Sequence, residues 1–327
     1  MKFMQCSIDD CGAKAAKRGM FMHRRNVVAG LLAAPSILPF AGVRSAGAAV
    51  MGRPDSPALL RPAVAPAAPV PLKPATSVIG GMPRWQRYAV PAQATDGRPI
   101  ITIVIDDLGV IQPGTRRTLA MVAPITLAWF PFANHLPDQV SVGVGRGHES
   151  ILHMPMQSFS NSTAQTGPDP LRIDLPVEEN MRRLVTAIDA VPDTVGLNNH
   201  MGSVATRDPA LMALVAQEAL RRDMLFLDSV TIGHSQAYRQ SADIGVPAAS
   251  RDVFIDDVAN RDLIMGQLML IERVARQKGH VIAIGHPRPL TMDALEWWLP
   301  TLAGKGFVLW PLSATIALRN SIAMPAA

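Results

Sequence analysis

Short apolar segments rich in β-branched residues alternate with helical stretches over about 215 residues, and this alternation constrains the fold most. Each segment is a predicted strand, and the eight lie at residues 100–105, 125–130, 150–154, 194–198, 224–228, 246–250, 280–285 and 306–310. Strands that are apolar throughout need cover on both faces, which helices between parallel strands supply. About eight such units favour an α/β fold, a small distorted (β/α) barrel of about seven to eight parallel strands, over a doubly wound sheet.

Two of the intervening helices have clear end signals. One is predicted to begin after Asp208, a good N-cap, with Pro209 at its first position. Another is predicted over about residues 260–278, where Gly279 is a stop signal. The first strand is not followed by a GxGxxG or GxxxxGK(S/T) loop, so the sequence does not indicate nucleotide binding.

Residues 1–48 have the composition of an export signal. Basic residues that include Arg24 and Arg25 precede an apolar run over 27–41, and small residues follow at 46–48. The arginine pair ahead of a short, proline-containing apolar run resembles a twin-arginine leader. We therefore expect a periplasmic or extracellular protein that is attached to a membrane only if the leader stays uncleaved. Cys6 and Cys11 both lie in this segment, so the mature chain is expected to lack disulfides and thiolate chemistry.

Residues 49–97 are predicted to be a Pro/Ala-rich linker and lead-in. Seven prolines between Arg53 and Pro74 remove backbone donors and favour an extended, disordered chain. Beyond this segment the strand pattern continues without another linker. Residues 98–314 are therefore predicted to form one barrel domain, and residues 315–327 a C-terminal tail.

The net charge of +5 arises from the N-terminal residues 1–48. Residues 1–48 hold seven of the 31 basic and two of the 26 acidic residues, which leaves 24 of each in the remainder. A neutral chain lacks the charge term that dominates affinity for a phosphate backbone, so we expect no nucleic-acid partner.

Five predicted strands end in, or run into, carboxylate, amide or imidazole side chains. These are Asp106 and Asp107 after the first strand, His153 in the third, Asn199 and His200 after the fourth, Asp228 ending the fifth and His286 after the seventh. The carboxyl ends of parallel strands open on one face of a barrel, so these side chains are expected to meet there. Each alone has an ordinary explanation, such as a helix cap or a structural histidine, but their repetition favours a functional site.

These residue types suit a divalent metal of the zinc class with three protein ligands and one position for water. Such an ion acidifies water and polarises a carbonyl group, while a neighbouring carboxylate takes a proton and a histidine protonates the leaving group. Adjacent residues of an extended strand face opposite ways, so Asp106 and Asp107 both reach the site only if the backbone turns there. One would then bind the metal and the other would act as the base.

The segments ITIVIDDLG, ESILHMPM, GLNNHMGS, FLDS, RDVFID and AIGHP occur in this order and resemble the divergent polysaccharide deacetylase family. That family is a branch of the carbohydrate esterases with a NodB-like distorted barrel. The similarity covers about residues 98–314, and GLNNHMGS and AIGHP are its most specific parts. The resemblance implies metal-dependent removal of N- or O-acetyl groups from an envelope or extracellular polysaccharide.

The resemblance also implies residue roles. Asp106 matches the catalytic base, Asp107 the metal-binding aspartate and His286 the catalytic acid. The main deacetylase families have two histidines four positions apart in their second motif, but no second histidine follows His153 at that spacing. His153 and His200 are therefore assigned as the imidazole ligands of a divalent ion, expected to be zinc.

Further residues near the site have two explanations each. Asp228 would orient a catalytic histidine or support the metal ligands, or it would cap the following helix. Asn198 and Asn199 would bind substrate or form the turn after their strand. Arg251 would bind substrate on the same face or pair with Asp252.

The remaining histidines and one tryptophan pair have no strand-end partner. We expect His135, His148, His234 and His280 to be ordinary surface or turn residues. Trp297 and Trp298 would stack on a sugar ring or fill packing seams between elements.

The sequence thus favours an exported, metal-dependent carbohydrate esterase or amidase of the deacetylase type. The alternative is a non-catalytic envelope protein that uses the same pocket to bind glycan or a protein partner. A phosphate-ester hydrolase is less favoured, since only Arg251 and Arg288 accompany the strand-end residues. The sequence does not indicate an oligomeric state.

Overall fold

The computed structural model describes residues 81–160 and 163–324 of the 327-residue chain. The predicted export signal at 1–48 and the proline-rich segment at 53–74 lie outside these residues, so both stay predictions. The described residues form nine strands, which are β1 Ile100–Leu108, β2 Thr126–Trp129, β3 Glu149–Met156, β4 Gly196–Met201, β5 Leu225–Asp228, β6 Ala248–Ser250, β7 Val253–Phe254, β8 His280–Gly285 and β9 Val308–Leu309.

Ten α-helices accompany these strands in the same part of the chain. They are α1 Arg84–Arg87, α2 Gln112–Leu119, α3 Leu136–Gly145, α4 Thr163–Thr166, α5 Val177–Ala190, α6 Pro209–Arg221, α7 Ala237–Ile244, α8 Arg261–Lys278, α9 Pro289–Trp298 and α10 Leu312–Arg319. The two predicted helix starts are confirmed, since Asp208 accepts a backbone N–H of α6 and Asn260 accepts two of α8. Gly279 ends α8 with a φ of 82°. Among the described helices, not one is long and apolar enough to span a bilayer.

All strand pairs are parallel, and the sheet runs in the order β6-β5-β4-β3-β2-β1-β8-β7, with β9 also paired to β1. The two outermost strands, β6 and β7, are consecutive in the chain, and only Arg251 and Asp252 separate them. The Arg251 N–H donates to Asp228 O of β5 at 3.0 Å, and the Asp252 N–H donates to Ile282 O of β8 at 2.9 Å. The sheet therefore curls until its edges meet, which confirms the expected distorted barrel.

Apolar side chains cover both faces of this curled sheet. Ile101, Ile103 and Ile105 of β1 pack outward into the cluster that contains the surrounding helices. Val104 instead joins an interior cluster with Ala128, Ile151, Leu227, Ile282 and Ile284 of the neighbouring strands. Because successive strand residues face opposite sides, even-numbered positions of β1 line the inside of the barrel.

Helix α10 closes the amino-terminal end of the barrel, where Leu312, Ile316 and Ala317 join the interior cluster. Glu149 at the start of β3 ties this helix down, because its carboxylate accepts the Ser313 N–H at 2.9 Å and contacts the Ser313 hydroxyl. Burial raises the pKa of Glu149 to about 7, although these bonds from Ser313 act in the opposite direction.

The structure corrects the predicted boundaries in three places. All eight predicted strands are present, β8 with the predicted ends and the others with shifted ends. In addition, β7 is a ninth strand that the pattern does not indicate, because two residues are too few to show periodicity. The predicted boundary between residues 314 and 315 falls inside α10, whose buried Ile316 and Ala317 belong to the domain. In the predicted lead-in, Trp85 of α1 is also buried in the interior cluster.

Candidate active site

Six of the strand-end side chains meet at the carboxyl end of the barrel interior. Asp106 lies two residues after inward-facing Val104 in β1, and His153 lies two residues after inward-facing Ile151 in β3. On β4, Asn198 and His200 are also two residues apart and therefore lie on the same face of the strand. The shared phase follows from the two-residue period of a strand, which places these groups over the apolar interior cluster. His286 lies two residues after Ile284 of β8 and points to the same place. Asp107 also reaches this group, although it does not share the inward-facing positions of β1.

Asp107 reaches the site because β1 bulges there. The register between β1 and β2 shifts between Ile105 and Leu108, and Asp107 has a φ of 60°. A left-handed residue inside a strand breaks the alternation of faces, so two consecutive carboxylates turn toward the same end of the barrel. The strand therefore does not end at Ile105 as predicted, but the expected turn of the backbone is present. A left-handed non-glycine residue at such a point is strained, which is common at functional sites.

Three donor atoms converge at this end of the barrel. Asp107 Oδ1 lies 3.1 Å from His153 Nε2 and 3.1 Å from His200 Nδ1, and the two ring nitrogens lie 3.0 Å apart. His153 is almost completely buried and His200 nearly so. Asp107 Oδ1 is buried too, and in the described part of the chain no group donates a hydrogen bond to it. These three residues are thus the candidate metal ligands, as a carboxylate with two imidazoles.

In each imidazole ring of this triad, the partner of the outer nitrogen determines which nitrogen carries the hydrogen. His153 Nδ1 faces Asn198 Oδ1 at 2.7 Å, and His200 Nε2 faces the carbonyl oxygen of Gln165 at 2.8 Å. Both partners are pure acceptors, so these nitrogens carry the hydrogens. In the neutral rings, His153 Nε2 and His200 Nδ1 then direct lone pairs toward Asp107 Oδ1. Three lone pairs at this separation repel one another unless a positive charge lies between them.

The pKa shifts of His153 and Asp107 also indicate that positive charge is favoured at this position. Burial acts to lower the pKa of His153, but the Asp106 and Asp107 carboxylates outweigh it and raise that pKa. Burial acts to raise the pKa of Asp107, but the His153 and His200 imidazoles lower it. Nitrogen and oxygen ligands about 2.0–2.1 Å from a tetrahedral zinc ion lie about 3.3 Å from one another. The donor set and its spacing therefore fit a divalent ion of the zinc class.

Asp106 lies beside this triad without entering it. Its Oδ1 accepts a hydrogen bond from Asn198 Nδ2 at 2.8 Å, and its Oδ2 lies 3.8 Å from His153 Nδ1. The side chain is buried, and burial raises the pKa of Asp106, against the lowering effect of His153 and His286. A carboxylate placed next to a metal site but not bound in it is suited to accept a proton.

His286 completes the site from the other side. Its Nε2 lies 3.9 Å from Asp107 Oδ2, while its Nδ1 contacts Asp256 Oδ1 at 2.9 Å. Asp256 Oδ2 also accepts the His286 backbone N–H and the Thr291 hydroxyl, at 2.9 and 2.7 Å. Burial acts to lower the pKa of His286, but Asp256 and Asp107 raise it, so the ring is suited to hold a proton. Our sequence reasoning missed Asp256; the signal was its position directly after the apolar run at 253–255.

Comparison with known proteins identifies this arrangement. A family model for the divergent polysaccharide deacetylases matches residues 103–316, which include all the residues of the site. The chain belongs to the divergent polysaccharide deacetylase family. This agrees with the resemblance and with the curled parallel sheet.

Two relatives of this chain carry names that call them uncharacterized proteins. The chain is 37% identical to YibQ of Escherichia coli over 196 residues, 60% of this chain and 61% of YibQ. It is 35% identical to a Haemophilus influenzae protein over 202 residues, 62% of this chain and 71% of that protein. The match thus spans about three fifths of the length of YibQ. The crystal structure of an uncharacterized Agrobacterium tumefaciens protein has the same fold, with a TM-score of 0.69 and 24% identity over 72% of this chain and 96% of that one.

Asp228, predicted to be catalytic, lies apart from these converging side chains. Its neighbours Leu225 and Leu227 face the barrel interior, so Asp228 at the end of β5 faces the surrounding helices. Its Oδ1 accepts the Val230 N–H at 2.8 Å and its Oδ2 accepts the Tyr238 N–H at 3.3 Å, near the start of α7. The capping explanation is therefore the one that the structure supports.

Asn198 and Asn199, predicted to bind substrate, are both buried and occupied within the protein. The Asn198 amide contacts Asp106, His153 and the Ser229 hydroxyl. Asn199 donates to the carbonyl oxygen of Met201 and accepts the Ser229 N–H. The first supports the site and the second supports the turn after β4, so the structure favours internal roles for both over the predicted substrate binding.

Arg251, the third residue predicted to bind substrate, connects the two edges of the sheet. Its Nε and Nη2 donate to the carbonyl oxygens of Ser229 and Val230 at 2.7 and 2.9 Å, and its guanidinium lies 4.5 Å from the ring centre of Phe254. The expected pair with Asp252 does not form, since Asp252 pairs with Arg319 and Lys278. The structure thus gives Arg251 a closing role in the barrel.

The remaining histidines and tryptophans lie away from the triad. His148 is completely buried directly after the turn at residues 146–147, so of the two expected places only the surface is excluded for it, whereas His135 and His234 are exposed and His280 is half-buried. Trp298 is buried and donates to Glu272 Oε1 at 2.8 Å, while Trp297 is exposed on α9. Packing therefore explains Trp298.

Phe130 forms an apolar wall of the site that the sequence did not indicate. Its ring centre lies 5.2 Å from that of His153 and 4.7 Å from that of His200, and it stacks on Phe132 at 4.8 Å. Phe132 also lines a cavity of about 380 Å³ between the loops after β1 and β2, together with Gln112, Asn134 and His135. A concave space with amide groups therefore lies close to the triad.

Proposed function

We propose that this divergent deacetylase hydrolyses N- or O-acetyl groups of an envelope or extracellular glycan with the help of a divalent ion, for which zinc fits best. The observation that carries the proposal is the convergence of Asp107, His153 and His200, whose three donor atoms are spaced as a divalent ion requires. A carboxylate on one side and an imidazole on the other complete what hydrolysis requires.

Asp107, His153 and His200 would hold the ion, which supplies a Lewis acid for a carbonyl oxygen and lowers the pKa of water from 15.7 to about 7. Asp106 accepts a proton from the attacking water as its oxygen bonds to the acetyl carbon. His286 Nε2 donates a proton to the departing nitrogen or oxygen of the sugar, while Asp256 holds the ring in place. The products are acetate and a free amine or hydroxyl on the glycan.

Metal content and acetate release test this proposal together. We expect the full chain, purified without a polyhistidine tag, to hold about one zinc or similar ion, and Asp107→Ala to hold none. His286→Ala is the matched control, because it removes the acid and leaves the triad intact. It should keep the ion and lose acetate release from acetylated chitooligosaccharides, peptidoglycan or xylan.

Two outcomes would overturn the hydrolase proposal. One is a chain that holds no ion even after zinc is added back. The other is acetate release that persists in Asp107→Ala. A metal-free chain that is retained on a glycan column would instead support the non-catalytic alternative, in which the same pocket only binds.

We also propose that residues 1–48 direct export, which would place the enzyme with its substrate outside the cytoplasm. The support is the pair Arg24-Arg25 ahead of the apolar run at 27–41. Cell fractionation of the wild type and of Arg24→Lys/Arg25→Lys tests this. Export that is lost in the variant is expected, and a wild type that stays in the cytoplasm would contradict it.

A further inference from the structure

The Asn198 side chain is placed between the predicted base and a candidate metal ligand, and all its polar atoms are occupied. Asn198 is completely buried. Its Nδ2 donates to Asp106 Oδ1 at 2.8 Å and to Ser229 Oγ at 3.2 Å, while its Oδ1 lies 2.7 Å from His153 Nδ1. An amide with both hydrogens engaged cannot donate to a substrate, and complete burial keeps a substrate from the remaining lone pair of its oxygen.

The orientation of this amide has a chemical consequence for His153. Asp106 Oδ1 needs a donor, so the NH₂ end of Asn198 faces Asp106 and the oxygen faces His153. An oxygen there accepts a hydrogen only from Nδ1, so the neutral ring must be the Nδ1–H form with a lone pair on Nε2. With the amide reversed, His153 would carry its hydrogen on Nε2, where it would point at Asp107 and block a cation.

We propose that Asn198 is a positioning residue through which Asp106 sets the tautomer of His153 and so prepares the triad for its ion. The same carboxylate that serves as the base therefore also orients a ligand. The importance of this link for hydrolysis rests on the proposed function, whereas the tautomer itself does not. Partners behind a metal-ligating histidine commonly change metal affinity by 10–100-fold when they are replaced.

Nitrogen NMR of the full chain, labelled in its histidine rings and stripped of metal at alkaline pH, reads the tautomer directly. In the wild type, His153 Nδ1 should show the shift of a protonated nitrogen. In Asn198→Leu, which keeps the volume but removes the amide, Nδ1 should become unprotonated, and zinc affinity in a chelator competition should fall 10–100-fold. An unprotonated Nδ1 in the wild type, or unchanged tautomer and affinity in a folded Asn198→Leu, would overturn the proposal.

Asn198→Asp provides a second variant that keeps the shape of the side chain. Its carboxylate still accepts the His153 Nδ1–H but has no hydrogen for Asp106, so zinc binding should persist while acetate release falls. Equal losses of both would indicate a structural role only and would contradict the proposal. Asn260→Asp is the matched control, since the Asn260 side chain accepts the Asp262 and Leu263 N–H groups at the exposed N-cap of α8, a carboxylate does the same, and the change should alter neither. If the wild type binds no zinc, the hydrolase proposal fails, but the NMR result still decides the role of Asn198.

Discussion

Asp256 holds His286 at two points. Its Oδ1 lies 2.9 Å from the ring Nδ1, and its Oδ2 accepts the backbone N–H of the same residue at 2.9 Å. The carboxylate thus fixes the position of the main chain and the direction of the ring, so that Nε2 faces Asp107. This pair is the part of the site that handles the leaving group in the proposed reaction.

Replacement of Asp256 by asparagine should disable His286 without affecting the metal triad. An amide NH₂ facing Nδ1 would favour the wrong tautomer and remove the charge that raises the pKa of His286. We expect kcat to fall by roughly 10²–10⁴ with unchanged zinc content. Steady-state kinetics and metal analysis check this, and Thr291→Val, which removes only the hydroxyl bond to Asp256, should have a smaller effect. A parallel loss of zinc would contradict separate roles.

A bound ion should stabilise the fold. Ligands that bind only the native state add about 2.7 kcal/mol to the free energy of unfolding at 100 times their Kd. Zinc should therefore raise the Tm of the wild type after chelation, and it should leave the Tm of Asp107→Ala unchanged. Thermal unfolding with and without zinc measures this. An equal rise in both proteins would place the binding elsewhere.

Loss of the Asp228 carboxylate should reduce stability and leave the chemistry intact. Asp228→Ala removes the acceptor of the Val230 and Tyr238 N–H groups, at a cost of roughly 1–2 kcal/mol in the free energy of unfolding. Urea unfolding measures the cost, while the zinc content and kcat of Asp228→Ala should match those of the wild type. A selective loss of kcat would restore the catalytic role predicted from sequence.

Glu149 should make the stability depend on pH. Its pKa rises from the ordinary 4.5 to about 7 in the folded chain, so the folded state binds this proton more tightly than the unfolded state. The contribution of this proton to the free energy of unfolding is fully present below about pH 4.5 and is lost as the pH rises to about 7. The change amounts to roughly 3 kcal/mol. Glu149→Gln should lack this change. Urea unfolding of both proteins at pH 5 and pH 8 tests it, and a constant difference between them would refute it.

Gly114 should tolerate no side chain. A Cβ there would lie 2.3 Å from the backbone oxygen of Pro287, the residue after His286, so α2 would have to move away from that loop. We expect Gly114→Ala to cost about 1–3 kcal/mol and to lower kcat. Gly145→Ala in α3 is the matched control, because its Cβ would enter open space and should be neutral or stabilising. Urea unfolding and steady-state kinetics of both variants test this prediction. Equal changes in stability and kcat for Gly114→Ala and Gly145→Ala would contradict the packing argument.

Much of the fold follows from the sequence because the long strands β1, β3 and β8 each contain a continuous apolar run. The alternation of strands and helices was sufficient to predict a curled parallel sheet, and strand ends were sufficient to find Asp106, Asp107, His153 and His286. The alternation of inward-facing and outward-facing residues along a strand would have improved the prediction of the site residues. Asp228 is adjacent to inward-facing Leu227, so it faces outward, whereas Asn198 and His200 share the inward phase.

Other features of the site depend on contacts that sequence patterns do not carry. The bulge at Asp107 breaks the strand period, and only its pairing with β2 makes that visible. Asp256 follows a strand of two residues, and its role appears only where β7 meets β8. An amide after a strand is equally suited to bind substrate or to form an internal bridge, and the burial and internal hydrogen bonds of Asn198 favour the bridge.

Strand β1 lies in the middle of the sheet, yet two of its three partners, β8 and β9, come from residues 280–309, more than 170 residues further along the chain, and α10 follows them. A ribosome therefore produces the central strand long before it produces what covers that strand. Until residues 280–309 have been synthesised, the apolar β1 segment can pair only with β2, so the barrel cannot close around this strand before β8 and β9 emerge.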